Sequence, residues 1–231
     1  MRYGLNLLLW TDRMHEGMEP IVARVKEMGY DGVEMPMFEL NESLYADWGK
    51  RLDDLGLART AVSIRTAGDN PISPSASVRT AAVDALKRTI DCCHAAGAKV
   101  LAGPNHSAIG EFSGSGPSDD EFQWGVDSLR QAAEHAGEAG VTFAIEYLNR
   151  FENYFLTSVE QTVSFVKAVD HPACRMMYDT FHANIEEKGL ADAISTAIPH
   201  TVLVHISEND RSIPGTGHVD WKTSFDSLHA A

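Results

Sequence analysis

Four times along the chain a helical pattern ends at a glycine, and a short β-rich run follows within a few residues. Met28-Gly29 precedes Gly32-Val33-Glu34-Met35, Leu55-Gly56 precedes Thr60-Ala61-Val62, Ala96-Gly97 precedes Lys99-Val100-Leu101, and Ala139-Gly140 precedes Thr142-Phe143-Ala144-Ile145. Glycine at such a place can take the left-handed conformation that stops a helix. The recurrence predicts helices alternating with parallel strands. Three further runs, Tyr3 to Leu9, Arg175 to Tyr178 and Thr201 to Ile206, bring the strands to seven, with helices such as Ser77 to Ala96, Asp119 to Ala139 and Trp221 to Ala231 among and after them. The runs are too uniformly apolar for a half-solvated sheet, which predicts strands buried on both faces.

Seven βα units point to a (β/α)8 barrel or to a large doubly wound sheet. The first strand runs into Trp10-Thr11-Asp12-Arg13, where a dinucleotide site would need a glycine-rich turn, and this favours the barrel. An eighth βα unit has no counterpart. The expectation is therefore one α/β barrel domain over residues 1–231, incomplete at its C-terminal end. The long connections, Arg65 to Ala76, Asn105 to Ser118 and Glu208 to Asp220, all follow strands, on the side where barrels carry their chemistry.

Charge narrows the partners. With 19 basic against 33 acidic residues the net charge is -14, which repels nucleic acid phosphates and anionic membrane surfaces. The apolar run at residues 3 to 10 is far shorter than a membrane span, and no cleavage site follows it. Cys92, Cys93 and Cys174 have no paired spacing, so reduced thiols and a cytoplasmic location are expected. The unpaired edges of an open sheet favour a homo-oligomer.

Chemistry-bearing residues gather where three strands end. The first polar residue beyond each apolar run is Glu146, Asp179 and His205, separated by 33 and then 26 residues, about one βα unit each. Any one of them alone reads as a solvated strand-end residue, whereas three in consecutive units match the way barrel sites draw on several strands. Two carboxylates and an imidazole suit Mn²⁺, Co²⁺ or Mg²⁺ better than a thiolate-rich structural zinc site. Glu152, His182 and Arg211 follow in the next loops and can hydrogen-bond the hydroxyls of a small polyol. His106 reads as structural. Pro214-Gly215-Thr216-Gly217 reads as a plain turn in preference to a phosphate cradle, and Gly110 to Gly116 as a flexible connection or lid. Trp10, Phe38, Phe151 and Phe181 stand at or just past strand ends.

Together, Glu146-x-Leu148-Asn149-Arg150-Phe151-Glu152, Asp179-Thr180-Phe181-His182-x-Asn184-Ile185-Glu186-Glu187 and His205-Ile206-Ser207-Glu208-Asn209-Asp210-Arg211-x-x-Pro214-Gly215-x-Gly217 resemble the D-tagatose 3-epimerase/D-psicose 3-epimerase group of the xylose-isomerase-like TIM barrels. The resemblance implies a metal-dependent ketose 3-epimerase that removes and returns the C3 proton of a small sugar through an enediolate. It implies a cation held by Glu146, Asp179 and His205, manganese or cobalt first and magnesium or zinc next. Glu146 would also exchange the proton, while His182 and Arg211 hold oxygens near C1 and C2 and Glu152 steadies the site. In the family a second glutamate on the eighth strand completes both the ligand set and the acid/base pair, and the 231 residues have no counterpart, so little epimerase activity is expected of them alone. An aldose-ketose isomerase of the hydroxypyruvate isomerase kind, an inosose dehydratase, or an inactive barrel remnant that self-associates are the alternatives.

Overall fold

In a computed structural model, which describes residues 1–230, seven parallel strands stand side by side in chain order: β1 Gly4–Asn6, β2 Gly32–Pro36, β3 Ala58–Val62, β4 Val100–Gly103, β5 Thr142–Ile145, β6 Cys174–Asp179 and β7 Thr201–His205. Spatial order equal to chain order is the wall of a barrel; a doubly wound sheet would reverse at a switch point. β1 and β7 are the two edges, so the wall is open. Helices α1 Glu19–Glu27, α2 Glu42–Asp54, α3 Ala76–Ala96, α4 Asp119–Ala139 and α5 Val159–Val169 follow the first five strands. The sixth unit carries two, α6 Thr180–Glu186 and α7 Leu190–Ala197, and α8 Trp221–Ala230 follows β7. Ala231, expected to end that helix, lies outside the described residues. No helix among the described residues is long and apolar enough to cross a membrane.

The four glycine stops hold: Gly29, Gly56, Gly97 and Gly140 have φ between 63° and 88°. The start of α4 is fixed as locally as its end. Ser118 Oγ accepts from Glu121 N while the Glu121 carboxylate accepts from Ser118 N, a reciprocal cap that contributes about 1 kcal/mol. The first strand is shorter than expected. Asn6 Oδ1 accepts from Leu8 N at 2.9 Å and turns Leu7–Leu9 into a 3-10 helix, so the apolar run leaves the sheet after three residues.

Alternation along the strands sorts the side chains into two layers. Leu101, Phe143, Ile145, Met176 and Tyr178 belong to the large core shared with the helices. Residues of the other parity, Ala102, Ala144 and Met177, form a smaller cluster with Val100 and Leu203 on the inner face. Carried around the wall by the register, that inner parity also contains Asn6, Glu34, Thr60, Asp179 and His205.

Candidate active site

Asp179 and His205 close β6 and β7 directly opposite one another. Glu146 is the first residue beyond β5 and shares the parity of Ala144, with its backbone N–H held by Gly103 O at 3.1 Å. These three side chains meet in the interior. Asp179 uses Oδ1 to cap α6, accepting from Phe181 N at 2.7 Å and His182 N at 3.4 Å, and turns Oδ2 toward His205 Nδ1 at 3.6 Å. The same Nδ1 lies 3.9 Å from Glu146 Oε1. His182 competes for this place: its Nε2 is 3.7 Å from Glu146 Oε1, and ligand atoms of Glu146, Asp179 and His182 all fall within 4.8 Å of one another.

Hydrogen bonds on the far side of each ring decide what the two imidazoles offer. Nδ1 of His182 accepts from the backbone N–H of Asn149 at 2.9 Å, so its proton sits on Nε2 and faces Glu146 as a donor. His205 is the reverse. Its Nε2 lies 2.8 Å from Glu34 Oε1, a carboxylate that can only accept, and this leaves the Nδ1 lone pair of the neutral ring for the interior. The geometry thus makes His205 the nitrogen suited to a cation and His182 a donor to an oxygen.

Burial pushes the Glu146 carboxyl up to about 8, with Asp179 and Glu34 adding to the rise and His205 opposing it. Burial works the same way on Asp179, but His205, His182 and the Phe181 N–H outweigh it and hold this carboxyl below its usual range. His205 resists burial because Glu34, Asp179 and Glu146 surround it, and its pKa stands well above the ordinary imidazole value. Three buried carboxylates, Glu34, Glu146 and Asp179, surround His205. A divalent cation would supply the positive charge this cluster lacks, and the buried Glu146, Asp179 and His182, with ligand atoms within 4.8 Å of one another, are a group that could hold one.

The three loop residues expected to meet a sugar join the same network. Arg211 Nη2 contacts Glu152 Oε1 at 2.8 Å and Oε2 at 3.1 Å, and its guanidinium lies 4.0 Å from the centre of the Phe181 ring. Glu152 Oε1 also accepts from Asn149 Nδ2 at 2.8 Å, and Asn149 donates to His182, so one chain of contacts runs from Arg211 to the edge of Glu146. Arg211 itself has φ 59°, unusual for a side chain with Cβ. Its loop is held by Glu208, whose buried carboxylate accepts from Asn209 N, Gly215 N, Val219 N and Trp221 Nε1. Burial would raise the Glu208 carboxyl, yet the donors hold it at about 2. The Pro214 to Gly217 turn therefore spends its Gly215 N–H on a glutamate of the chain itself, as the plain-turn reading expects.

His106 is fully buried, with Nδ1 on Ser107 Oγ and no hydrogen-bond partner for Nε2, in keeping with a structural role. Trp10, Phe38 and Phe151 are exposed, and the Phe181 ring lies against the Arg211 guanidinium. Sequence reasoning missed Glu34, Asn149 and Glu208. Glu34 left a signal as a lone carboxylate inside a buried strand, and Asn149 and Glu208 stand within the quoted motifs without a role assigned to them.

The family described as xylose isomerase-like TIM barrel matches residues 22–231. The chain is 31% identical over 226 residues to the D-psicose 3-epimerase of Agrobacterium fabrum, covering 96% of this chain and 78% of that protein. It is also 31% identical to the L-ribulose 3-epimerase of Mesorhizobium japonicum, covering 99% and 77%. The crystal structure of a D-psicose 3-epimerase in the presence of D-fructose superposes with a TM-score of 0.91 at 30% identity, over all of this chain and 81% of that one.

Proposed function

The chain belongs to the xylose isomerase-like TIM barrel family, and from that premise we propose that it is a divalent-metal-dependent ketose 3-epimerase acting on a small sugar. The observation that carries the reading is the convergence of Glu146, Asp179 and His205 Nδ1 within 3.9 Å contacts, beside a donor imidazole and a guanidinium held by Glu152. Whole-chain likeness to two ketose 3-epimerases supports the choice of reaction.

A cation held by Glu146, Asp179 and His205, manganese or cobalt in this reading, would supply Lewis acidity to the sugar oxygens next to C3. Glu146 removes the C3 proton, which the neighbouring C2 carbonyl makes acidic, and leaves an enediolate. As a general acid/base within reach of C3, Glu146 contributes about 10²- to 10⁴-fold. His182 donates its Nε2–H to an oxygen near C1 or C2. Arg211 binds a second oxygen through the guanidinium N–H groups that Glu152 leaves free, and the Phe181 ring beneath fixes its plane. Inversion then needs proton return to the opposite face by a second acid.

The test is product analysis after incubation with Mn²⁺ and, separately, ketohexoses, hydroxypyruvate and keto-inositols. The C3 epimer of a ketohexose, or solvent deuterium entering at its C3, supports the reading. An aldose product, or dehydration of the inositol, with the ketohexoses unchanged overturns it.

A further inference from the structure

Glu34 has no role in the chemistry above, yet it stands among the inner-face residues of the wall. It stands on β2 in register with Asn6 on β1 and Thr60 on β3, all on the inner face. Oε1 accepts from Asn6 Nδ2 and from His205 Nε2, each at 2.8 Å, and Oε2 accepts from Thr60 Oγ1 at 2.8 Å. The last contact along the chain is the farthest: Glu34 and His205 are 171 residues apart and join the second strand to the seventh across the interior. Two donors on one oxygen and one on the other hold the carboxylate in a single orientation.

We propose that Glu34 is the positioning residue of the cation site, an inference that rests on the metal-dependent reading. A carboxylate on Nε2 lies on the opposite side of the imidazole from an ion on Nδ1, so Glu34 acts through His205 and not as a ligand. It forces the Nε2–H tautomer, aims the Nδ1 lone pair between Asp179 and Glu146, and makes that nitrogen more basic. Without it the ring is free to carry its proton on Nδ1, toward Asp179, and to offer the cation nothing. Glutamine is the informative replacement. Its oxygen can keep the His205 contact while Thr60 accepts from its amide, so the fold survives and the negative charge goes; in the flipped orientation the amide faces Nε2 and reverses the tautomer.

The experiment is calorimetric titration of the whole chain with Mn²⁺ alone, no sugar present, for wild type, Glu34→Gln and Thr60→Val. Glu34→Gln is expected to bind Mn²⁺ 10- to 100-fold more weakly, the range found when second partners of ligating histidines are removed. Thr60→Val takes away one other Glu34 contact and is expected to stay within about threefold of wild type, since the His205 bond persists. A second measurement does not depend on any variant folding: in ¹⁵N–¹H spectra of the Mg²⁺-loaded wild type the His205 proton is expected on Nε2. Equal Mn²⁺ affinity in folded Glu34→Gln, or a proton on Nδ1 of the loaded wild type, overturns this proposal alone. Failure of the wild type to take up Mn²⁺ overturns it together with the reading it rests on.

Discussion

Replacing His106 with leucine should change how stability responds to acid, by an amount the site itself sets. The imidazole is fully buried, touches Ser107 Oγ through Nδ1, and packs 5.8 Å from the Phe155 ring. Asn153 Nδ2 donates to the same Ser107 Oγ at 2.8 Å. Burial lowers the imidazole pKa from 6.5 to about 3, with a small opposing pull from the Glu146 backbone. The unfolded chain therefore takes up a proton near pH 6.5 that the folded chain refuses until about pH 3. The stabilisation is complete above the unfolded value and drains away as pH falls between the two. Each pH unit in that window costs about 1.4 kcal/mol, so the drop from pH 6 to pH 4 costs about 2.5 kcal/mol. Glu146 works the other way, since its folded value near 8 makes the native state bind the extra proton as pH falls toward 4.5, and the two effects mask each other in the wild type. The difference between wild type and His106→Leu removes the mask. Urea unfolding of both proteins at pH 6 and pH 4 with chelator present is the assay. The wild type should lose about 2.5 kcal/mol relative to the variant over those two units. Parallel stability curves would refute the buried neutral imidazole.

Asp179→Ala should leave a folded chain that retains less than a tenth of the wild-type Mn²⁺ in metal analysis, with about 1 kcal/mol lost from the α6 cap that Asp179 also forms. Arg211→Ala should keep its Mn²⁺ and raise KM for the ketose about tenfold, a loss near 1.4 kcal/mol; metal loss with unchanged KM would assign Arg211 the wrong task. Gly103→Ala should unfold the chain or destabilise it by more than about 3 kcal/mol in thermal melts, because its φ is 113° and a Cβ would lie 2.1 Å from Ser63 O. Gly110→Ala, also left-handed but with nothing within 4 Å, should lose only about 1 kcal/mol.

The barrel wall is legible in the sequence because its signals are local. Gly29, Gly56, Gly97 and Gly140 each end a helix where the pattern says one ends. Glu146, Asp179 and His205 are legible too, since each breaks an apolar run at the spacing of one βα unit. Local reading fails where a side chain overrides the pattern. Asn6 looks like a strand residue and becomes the cap that ends β1 early. It also fails where the partner is distant. Glu34 reads as a lone carboxylate in an apolar run, with no partner in sight until the register sets it beside Asn6 and Thr60 and within reach of His205. Spacing sets His205 at a strand end and His182 in the loop beyond Asp179, but the Asn149 N–H behind one ring and the Glu34 carboxylate behind the other come only from the fold. Four donors converge on Glu208, three from one loop and one from the first residue of α8, an arrangement that sequence spacing does not announce.

The most direct test of the account is exchange at C3. Incubated with D-fructose and Mn²⁺ in D₂O, the protein should place solvent deuterium on C3, detected by loss of that proton signal, and Glu146→Gln should slow the exchange by about 100-fold or more. Exchange confined to C1, or C3 exchange undiminished in Glu146→Gln, would contradict Glu146 as the group that moves the C3 proton.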